Sequence, residues 1–174
     1  MISADRPGRE SVRPAVLRAS AIQSAELAND RERALALTPV SRETLARLDR
    51  FVALLLQRQP QINLIAPSTA PTLWTRHVAD SLQLLALAPD AHVWADFGSG
   101  AGFPGLVIAC ALADIAGAQV HLAESSAKKA AFLREAAQAT GAPAIVHAVR
   151  VADFVKAAPA GIAAGKLWLK KLGS

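Results

Sequence analysis

The chain has 174 residues, 52% hydrophobic and 19% charged, which suits one compact domain with an appendage. Lys and Arg outnumber Asp and Glu by 19 to 14, an excess that fits a polyanionic partner such as nucleic acid and equally fits a mildly basic surface. The single cysteine, Cys110, excludes an internal disulfide and a thiolate-rich metal site, so we expect no metal. No uncharged apolar run reaches the ~18 residues of a membrane span, and no secretory signal is evident. We therefore expect no membrane contact and a cytoplasmic location.

The first 38 residues give a weak structural signal. Residues 1–38 mix Arg with acidic side chains, and no steady apolar stripe is visible up to Arg18. This composition predicts a flexible or loosely helical extension. A basic RNA-binding arm is the alternative interpretation, although its charges nearly cancel.

Residues 39–90 carry a helical pattern. Apolar residues recur at steps of three and four from Ser41, which predicts an amphipathic helix with Ser41 as its N-cap and Pro60 as its end. A second helix is predicted at about residues 72–87, with His77 on its apolar face and Arg76 on its surface, four residues from Asp80.

Residues 91–154 alternate between strand and helix patterns. Strands are predicted at about 92–97, 119–123 and 144–149, with helices at 104–116 and 126–140. Repeated strand–helix units with short connections predict an α/β fold with a parallel sheet and flanking helices.

A glycine-rich segment follows the first strand: Asp96-Phe-Gly-Ser-Gly-Ala-Gly-Phe-Pro-Gly105. The spacing of Gly100, Gly102 and Gly105 fits the G-x-G-x-x-G fingerprint of dinucleotide sites, whereas Asp96, Gly98, Gly100 and Gly102 fit the D-x-G-x-G-x-G motif of methyltransferases. A carboxylate near the loop suits the cationic end of S-adenosylmethionine and repels a diphosphate. The second register is therefore favoured, with S-adenosyl-L-methionine as the expected cofactor.

Glu124 ends the second predicted strand. An acid at this position can accept hydrogen bonds from ribose hydroxyl groups in both cofactor classes, so it supports a nucleotide-like ligand without choosing between them. A nicotinamide-dependent oxidoreductase remains an alternative with little support, because no catalytic acid–base set is evident.

A series of motifs occurs in chain order along residues 63–135. The motifs are Asn63-Leu64, Arg76-His77-Val-Ala-Asp80-Ser81, the glycine-rich segment, Glu124-Ser125, Lys128-Lys129 and Phe132-Leu133-Arg134-Glu135. This series resembles the RsmG (GidB) family of methyltransferases of 16S ribosomal RNA, and the resemblance covers about residues 40–155. It implies a Rossmann-like class I methyltransferase fold with added N-terminal helices, acting as a monomer on the small ribosomal subunit and methylating N7 of a guanine in the 530-loop region.

The resemblance also implies the site residues. Arg76 and His77 are catalytic candidates without an assigned step, because guanine N7 carries a lone pair and no proton, and positioning can supply most of the rate. Lys128, Lys129 and Arg134 are candidates for phosphate contacts, or form a solvated helix face. The expected cofactor-binding residues are Asp96, Gly98, Gly100, Gly102, Phe103, Glu124, Val151 and Ala152.

The resemblance ends at about residue 154. Residues 155–174 match no expected strand, so we expect a divergent tail, a truncated chain that lacks the C-terminal half of the sheet, and impaired activity. The first strand would then be an unpaired edge, unless the run Leu167-Trp168-Leu169 covers it. A non-catalytic remnant that binds RNA or a partner is the alternative function.

Overall fold

The computed structural model describes residues 12–157 and 168–170, and the side chains of residues 24–157. Four parallel strands form one sheet in the order β3-β2-β1-β4, with helices between successive strands. The strands are β1 (Val93–Phe97), β2 (Gln119–Ala123), β3 (Ala144–His147) and β4 (Trp168–Lys170). The α-helices are α1 (Val12–Leu37), α2 (Arg42–Ile62), α3 (Asp80–Gln83), α4 (Gly105–Ala111), α5 (Ala127–Thr140) and α6 (Val151–Ala157).

Helix α1 packs onto the rest of the protein, where the sequence predicted a flexible or loosely helical extension. Ala34 and Asp30 are fully buried, and Leu27 lies against the core. The guanidinium of Arg31 donates two hydrogen bonds, at 2.7 and 2.8 Å, to the carboxylate of Asp49 in α2. The apolar stripe is short and the docking contacts are polar, so hydrophobic periodicity did not reveal them.

Helix α2 begins as predicted but ends later. The hydroxyl of Ser41 accepts the N–H of Thr44 at 3.1 Å, which confirms the N-cap. Pro60 lies inside the helix, which ends at Asn63 in the left-handed region with φ 52°. Proline removes one N–H donor near the C-terminus of the helix without preventing another half-turn. The side-chain oxygen of Gln59 accepts the N–H groups of Leu64 and Ile65, which follow the helix.

The second predicted helix is a composite of short helices. A 3-10 helix (Pro67–Thr72) leads into a π-helical turn (Trp74–Ala79), then α3, then a further 3-10 helix (Leu84–Leu87). Helical structure therefore begins at Pro67, before the predicted start at about residue 72. No ion pair joins Arg76 to Asp80, both of which are exposed.

The sheet confirms the predicted alternation of strands and helices. β2 has the predicted bounds, and α5 has the hydroxyl of Ser126 as its N-cap and Gly141 with φ 65° as its C-cap. Helix α4 and strand β3 are shorter than predicted. A helix, α6, occupies part of the predicted tail region and contains Val151 and Ala152.

Strand β1 is paired on both sides, which is the outcome expected if the run near Trp168 covers its otherwise open edge. Its partners are β2, in the register Phe97 to Ala123, and β4, in the register Asp96 to Leu169. The apolar run around Trp168 thus supplies backbone hydrogen bonds to the side of β1 that would otherwise be open. The rest of the predicted tail lies outside the described residues.

The two faces of the sheet carry different layers. Trp94 and Leu122 point into the main core, which α2, α4 and α5 cover. Ala95 and Ala123 point to the opposite face and pack against Phe154 of α6. Because all strands are parallel, the carboxyl ends of β1, β2 and β3 meet at one edge, where ligands of open α/β sheets bind.

Candidate functional site

A sharply bent loop, residues 98–104, connects β1 to α4 at this edge and is called the glycine loop below. Gly98, Gly100 and Gly102 have φ values of 75°, 56° and 98°, a region that side chains disfavour. A Cβ on Gly102 would also lie 3.1 Å from Phe51 and from Leu106. The predicted glycines are thus required by the backbone and by close packing.

The loop is tied to the neighbouring strand through its own amides. The N–H groups of Gly98 and Ser99 both donate to the carbonyl oxygen of Ala123, at 2.8 and 3.1 Å. The N–H of Gly102 donates to the carbonyl of Ser99 at 2.7 Å. These hydrogen bonds fix the loop relative to the end of β2.

Asp96 lies beneath the glycine loop and faces α4. Its side chain is buried, and Oδ2 accepts the N–H of Gly105 at 3.1 Å, at the first residue of α4. A carboxylate at a helix N-terminus interacts favourably with the unpaired amides there. Asp96 is therefore close to the loop, as predicted, and its described hydrogen bond goes to the protein backbone.

Glu124 joins the glycine loop to the start of α5. Its Oε2 accepts the N–H of Gly100 at 2.9 Å, and its Oε1 accepts the N–H of Ser126 at 2.7 Å. The residue is 8% exposed, so the carboxylate is buried and both of its oxygens are held by backbone N–H groups. Each oxygen keeps a second lone pair for a ligand hydroxyl.

Phe103 connects the glycine loop to the N-terminal helices. Its ring stacks on His77 with a centroid separation of 4.9 Å and an interplanar angle of 23°, and lies 5.3 Å from the ring of Phe51. All three side chains are at least partly buried. The structure thus places His77 close to the glycine loop and shows that the Phe103 ring contacts protein side chains.

Arg76 is exposed on the same helical turn as His77. Lys128 and Arg134 are exposed on α5, whose first turn follows the carboxyl end of β2. Arg150 is exposed immediately before α6. Several cationic side chains therefore lie on elements that begin at or border the same sheet edge.

Val151 and Ala152 lie in the first turn of α6, after β3, and both are exposed. In the chain they follow β3, the strand that pairs with β2. Phe154 anchors α6 by contacts with Phe97 and with the two histidines described next. Glu124 contacts Gly100 of the glycine loop and Asp96 contacts Gly105 directly after it, whereas Val151 and Ala152 are related to the site only by following β3.

A histidine pair lies under α6. Nδ1 of His121 and Nε2 of His147 are 3.0 Å apart, and the rings stack at 19°. Burial lowers the pKa of both imidazoles, and His147 lowers the pKa of His121 further while Arg134 does so for His147. The pair is therefore neutral near pH 7, with one ring donating to the other.

Three contributors to this region were missed by the sequence analysis. Asp30 reaches the helix of His77 from a segment predicted to lie outside the fold, Phe51 packs on Phe103, and the N–H of Ser126 binds Glu124. The N-cap pattern of Ser126 was visible in the sequence, but the long-range contacts of Asp30 and Phe51 leave no local signal. Cys110 is fully buried in the core, and burial raises the pKa of its thiol to about 12.

Comparisons with known proteins identify the relatives of this chain. A family model described as GidB, rRNA small subunit methyltransferase G, matches residues 44–157. A ribosomal RNA small subunit methyltransferase G from Bradyrhizobium sp. strain BTAi1 is 62% identical over 141 residues, covering 81% of this chain and 64% of the relative. The protein of the same name from Bradyrhizobium sp. strain ORS 278 is 63% identical over 137 residues, covering 79% of this chain and 62% of the relative. The chain thus spans less than two thirds of the length of these relatives.

One solved structure shows the fold. A crystal structure of an O-methyltransferase candidate from Klebsiella pneumoniae superposes with a TM-score of 0.51 at 18% identity, covering 79% of this chain and 56% of that one. The likeness confirms the predicted Rossmann-like arrangement of a parallel sheet with flanking helices. Within the described residues, no helix is both long and apolar enough to cross a membrane.

Proposed function

Because the chain belongs to the GidB family, rRNA small subunit methyltransferase G, we propose that it binds S-adenosylmethionine at the glycine loop and methylates N7 of a guanine in 16S ribosomal RNA. The observation that carries the proposal is the hydrogen bond from the N–H of Gly100 to the carboxylate of Glu124. It places an acid at the bend of a loop that follows a parallel strand.

The donor and acceptor set of the loop fits a cationic nucleoside. The amides of Gly98, Ser99, Gly100 and Gly102 all donate within the protein, so they are not available to a diphosphate. Glu124 adds a carboxylate that can accept hydrogen bonds from ribose hydroxyl groups through its remaining lone pairs, which suits the nucleoside part of either cofactor class. The occupied amides of the loop are the feature that favours S-adenosylmethionine over a dinucleotide at this site.

The chemistry asks the protein for positioning. S-adenosylmethionine, when bound, supplies a methyl group already activated by its sulfonium. Guanine N7 has a lone pair and no proton, so the chain needs no general base, and holding the base in line with the methyl carbon is the main contribution. His77, stacked on Phe103, fits a role in shaping the loop, and the exposed Arg76 fits a contact with RNA.

The RNA partner is supported by charge. The chain carries a formal net charge of +5. Exposed cationic residues on elements around the sheet edge, Arg76, Lys128, Arg134 and Arg150, are suited to phosphate contacts. Binding to RNA through such contacts would weaken steeply with salt.

Calorimetry and methyl transfer together test the proposal. The purified chain is titrated with S-adenosylmethionine, S-adenosylhomocysteine and NAD, then incubated with tritiated S-adenosylmethionine and small ribosomal subunits that lack the modification. We expect binding of the first two ligands, none of NAD, and tritium in 16S RNA. Binding of NAD alone, or binding of RNA without either adenosyl ligand, would reject the proposal in favour of an oxidoreductase or a non-catalytic RNA-binding protein, respectively.

A further inference from the structure

We propose that Asp30 of α1 is a positioning residue for the glycine loop. Its buried carboxylate fixes the helical turn that carries His77, and His77 in turn holds Phe103 of the loop. The inference rests on the proposed function in taking the glycine loop as the cofactor site. It makes α1 part of the architecture of that site.

The first link is the contact between Asp30 and the start of the π-helical turn. Asp30 is fully buried, and its Oδ2 accepts the N–H groups of Trp74 and Thr75 at 2.8 and 3.1 Å. Its Oδ1 accepts the hydroxyl of Thr75 at 2.7 Å. Since the first amides of a helix lack partners within the helix, Asp30 acts as a cap supplied from another helix.

The cost of burying this carboxylate points to a geometric role. A buried charge is tolerated only when hydrogen bonds compensate it, and an apolar contact would pack these helices without that cost. Nη2 of Arg33 lies 3.3 Å from Oδ1 of Asp30, but the Arg33 side chain is 66% exposed, so this pair compensates the buried charge only weakly. The three hydrogen bonds from Trp74 and Thr75 are directional, so they set the position of the turn as well as holding it.

The second link runs from that turn to the loop. His77 lies two residues beyond Thr75 in the same π-helical turn, whose wider winding is uncommon and often found at functional sites. The His77 ring stacks on Phe103, which also contacts Phe51 and directly follows Gly102. A shift of the turn would therefore move the surface on which Phe103 rests.

Helix α1 is further fixed to the same region. Arg31, adjacent to Asp30, lies 5.4 Å over the Trp74 ring and pairs with Asp49 of α2. The family model begins to match at residue 44, so Asp30 lies outside the matched region. The Arg31–Asp49 pair provides a matched control, because it joins α1 to the fold without touching the backbone of the π-helical turn.

The test compares Asp30→Ala and Asp30→Asn with Asp49→Asn. Three properties are measured: the unfolding temperature, the affinity for S-adenosylhomocysteine by calorimetry, and the NMR shifts of the His77 ring protons, which report the ring current of Phe103. We expect Asp30→Ala to weaken binding by about tenfold or more and to move the His77 signals toward those of an unstacked ring. Asp30→Asn, which keeps one acceptor oxygen, should change both less, and Asp49→Asn should change neither.

A second pair of variants tests the link through the ring. His77→Ala should weaken binding as Asp30→Ala does, and His77→Phe should restore it by keeping a ring on Phe103. Wild-type affinity and wild-type His77 shifts in folded Asp30→Asn or Asp30→Ala protein would show that Asp30 only stabilises the fold and would overturn the inference. Failure of the wild-type chain to bind any adenosyl ligand would count against the proposed function, while the His77 shifts would still decide the role of Asp30.

Discussion

Gly105 lies directly against Asp96, at the junction of β1 and α4. Its N–H donates to Oδ2 of Asp96 at 3.1 Å, and a Cβ on Gly105 would lie 2.7 Å from both Cβ and Oδ2 of that residue. The strand end and the helix start are therefore so close that only glycine fits between them. This contact sets the position of the glycine loop above it.

The substitution Gly105→Ala tests this close approach. The new methyl group would also overlap the side chain of Leu122 in β2, so we expect the free energy of unfolding to fall by about 1–3 kcal/mol and adenosyl-ligand binding to weaken. Urea denaturation and calorimetry with S-adenosylhomocysteine measure the two effects. Gly117→Ala is the control: it is strained by a φ of 77° but open in space, and it lies before β2 at the opposite sheet edge, so it should lower stability and leave binding unchanged.

Substitutions of Asp96 distinguish a structural role from a direct electrostatic one. Asp96→Ala leaves the Gly105 N–H without its acceptor and should cost about 1–3 kcal/mol of unfolding free energy. Asp96→Asn keeps an acceptor oxygen, so it should cost less. If the side chain acts through Gly105, the Asn variant keeps the wild-type ratio of affinities for S-adenosylmethionine and S-adenosylhomocysteine. A selective loss of the cationic ligand would instead show a direct charge interaction.

Glu124→Gln should weaken ligand binding more than it destabilises the fold. An amide group supplies one oxygen, so either the Gly100 or the Ser126 N–H loses its acceptor, at a cost of about 1–3 kcal/mol. The loop bend and the ribose-facing lone pairs are both affected. Glu135→Gln, which weakens a partly exposed pair with Arg58, is the matched control and should change stability by less than about 1 kcal/mol and binding not at all. Equal binding by both variants would exclude Glu124 from the site.

The fold around the site was largely predictable because its signals are local. The alternation of apolar strands with capped helices placed β2 and α5, since the capping residues Ser126 and Gly141 lie next to the elements they bound. The glycines of the loop were also predictable, because a positive φ leaves a direct mark on residue type. These parts of the structure are specified by a few neighbouring residues.

Contacts distant in sequence could not be predicted in this way. Asp30 binds the backbone of Trp74, 44 residues later, and a backbone N–H leaves no trace in the identity of the residue that carries it. The sequence indicated that the run near Trp168 could cover β1, but the register of β4 on β1 is set by backbone hydrogen bonds of a three-residue segment, which residue types do not reveal. The motif also did not reveal that its acidic side chains bind the backbone. Asp96 accepts the N–H of Gly105, and Glu124 accepts the N–H of Gly100.

The histidine pair predicts a loss of stability in mild acid. The pKa values of His121 and His147 are lowered in the folded protein, whereas an unfolded histidine has a pKa of about 6.5. The unfolded chain therefore binds more protons than the folded chain at pH values between the folded and unfolded pKa values. The stability that the neutral histidine pair contributes is complete above the unfolded pKa and is lost as the pH falls from there toward the folded pKa values. Protonating both rings would leave no acceptor between nitrogens 3.0 Å apart, beneath Phe154. Between pH 7.5 and pH 5.5, urea unfolding should show a smaller decrease in stability for His147→Gln than for wild type. The control is His92→Gln, at an exposed position, which should keep the wild-type decrease. The same decrease in all three proteins would exclude the histidine pair as its source.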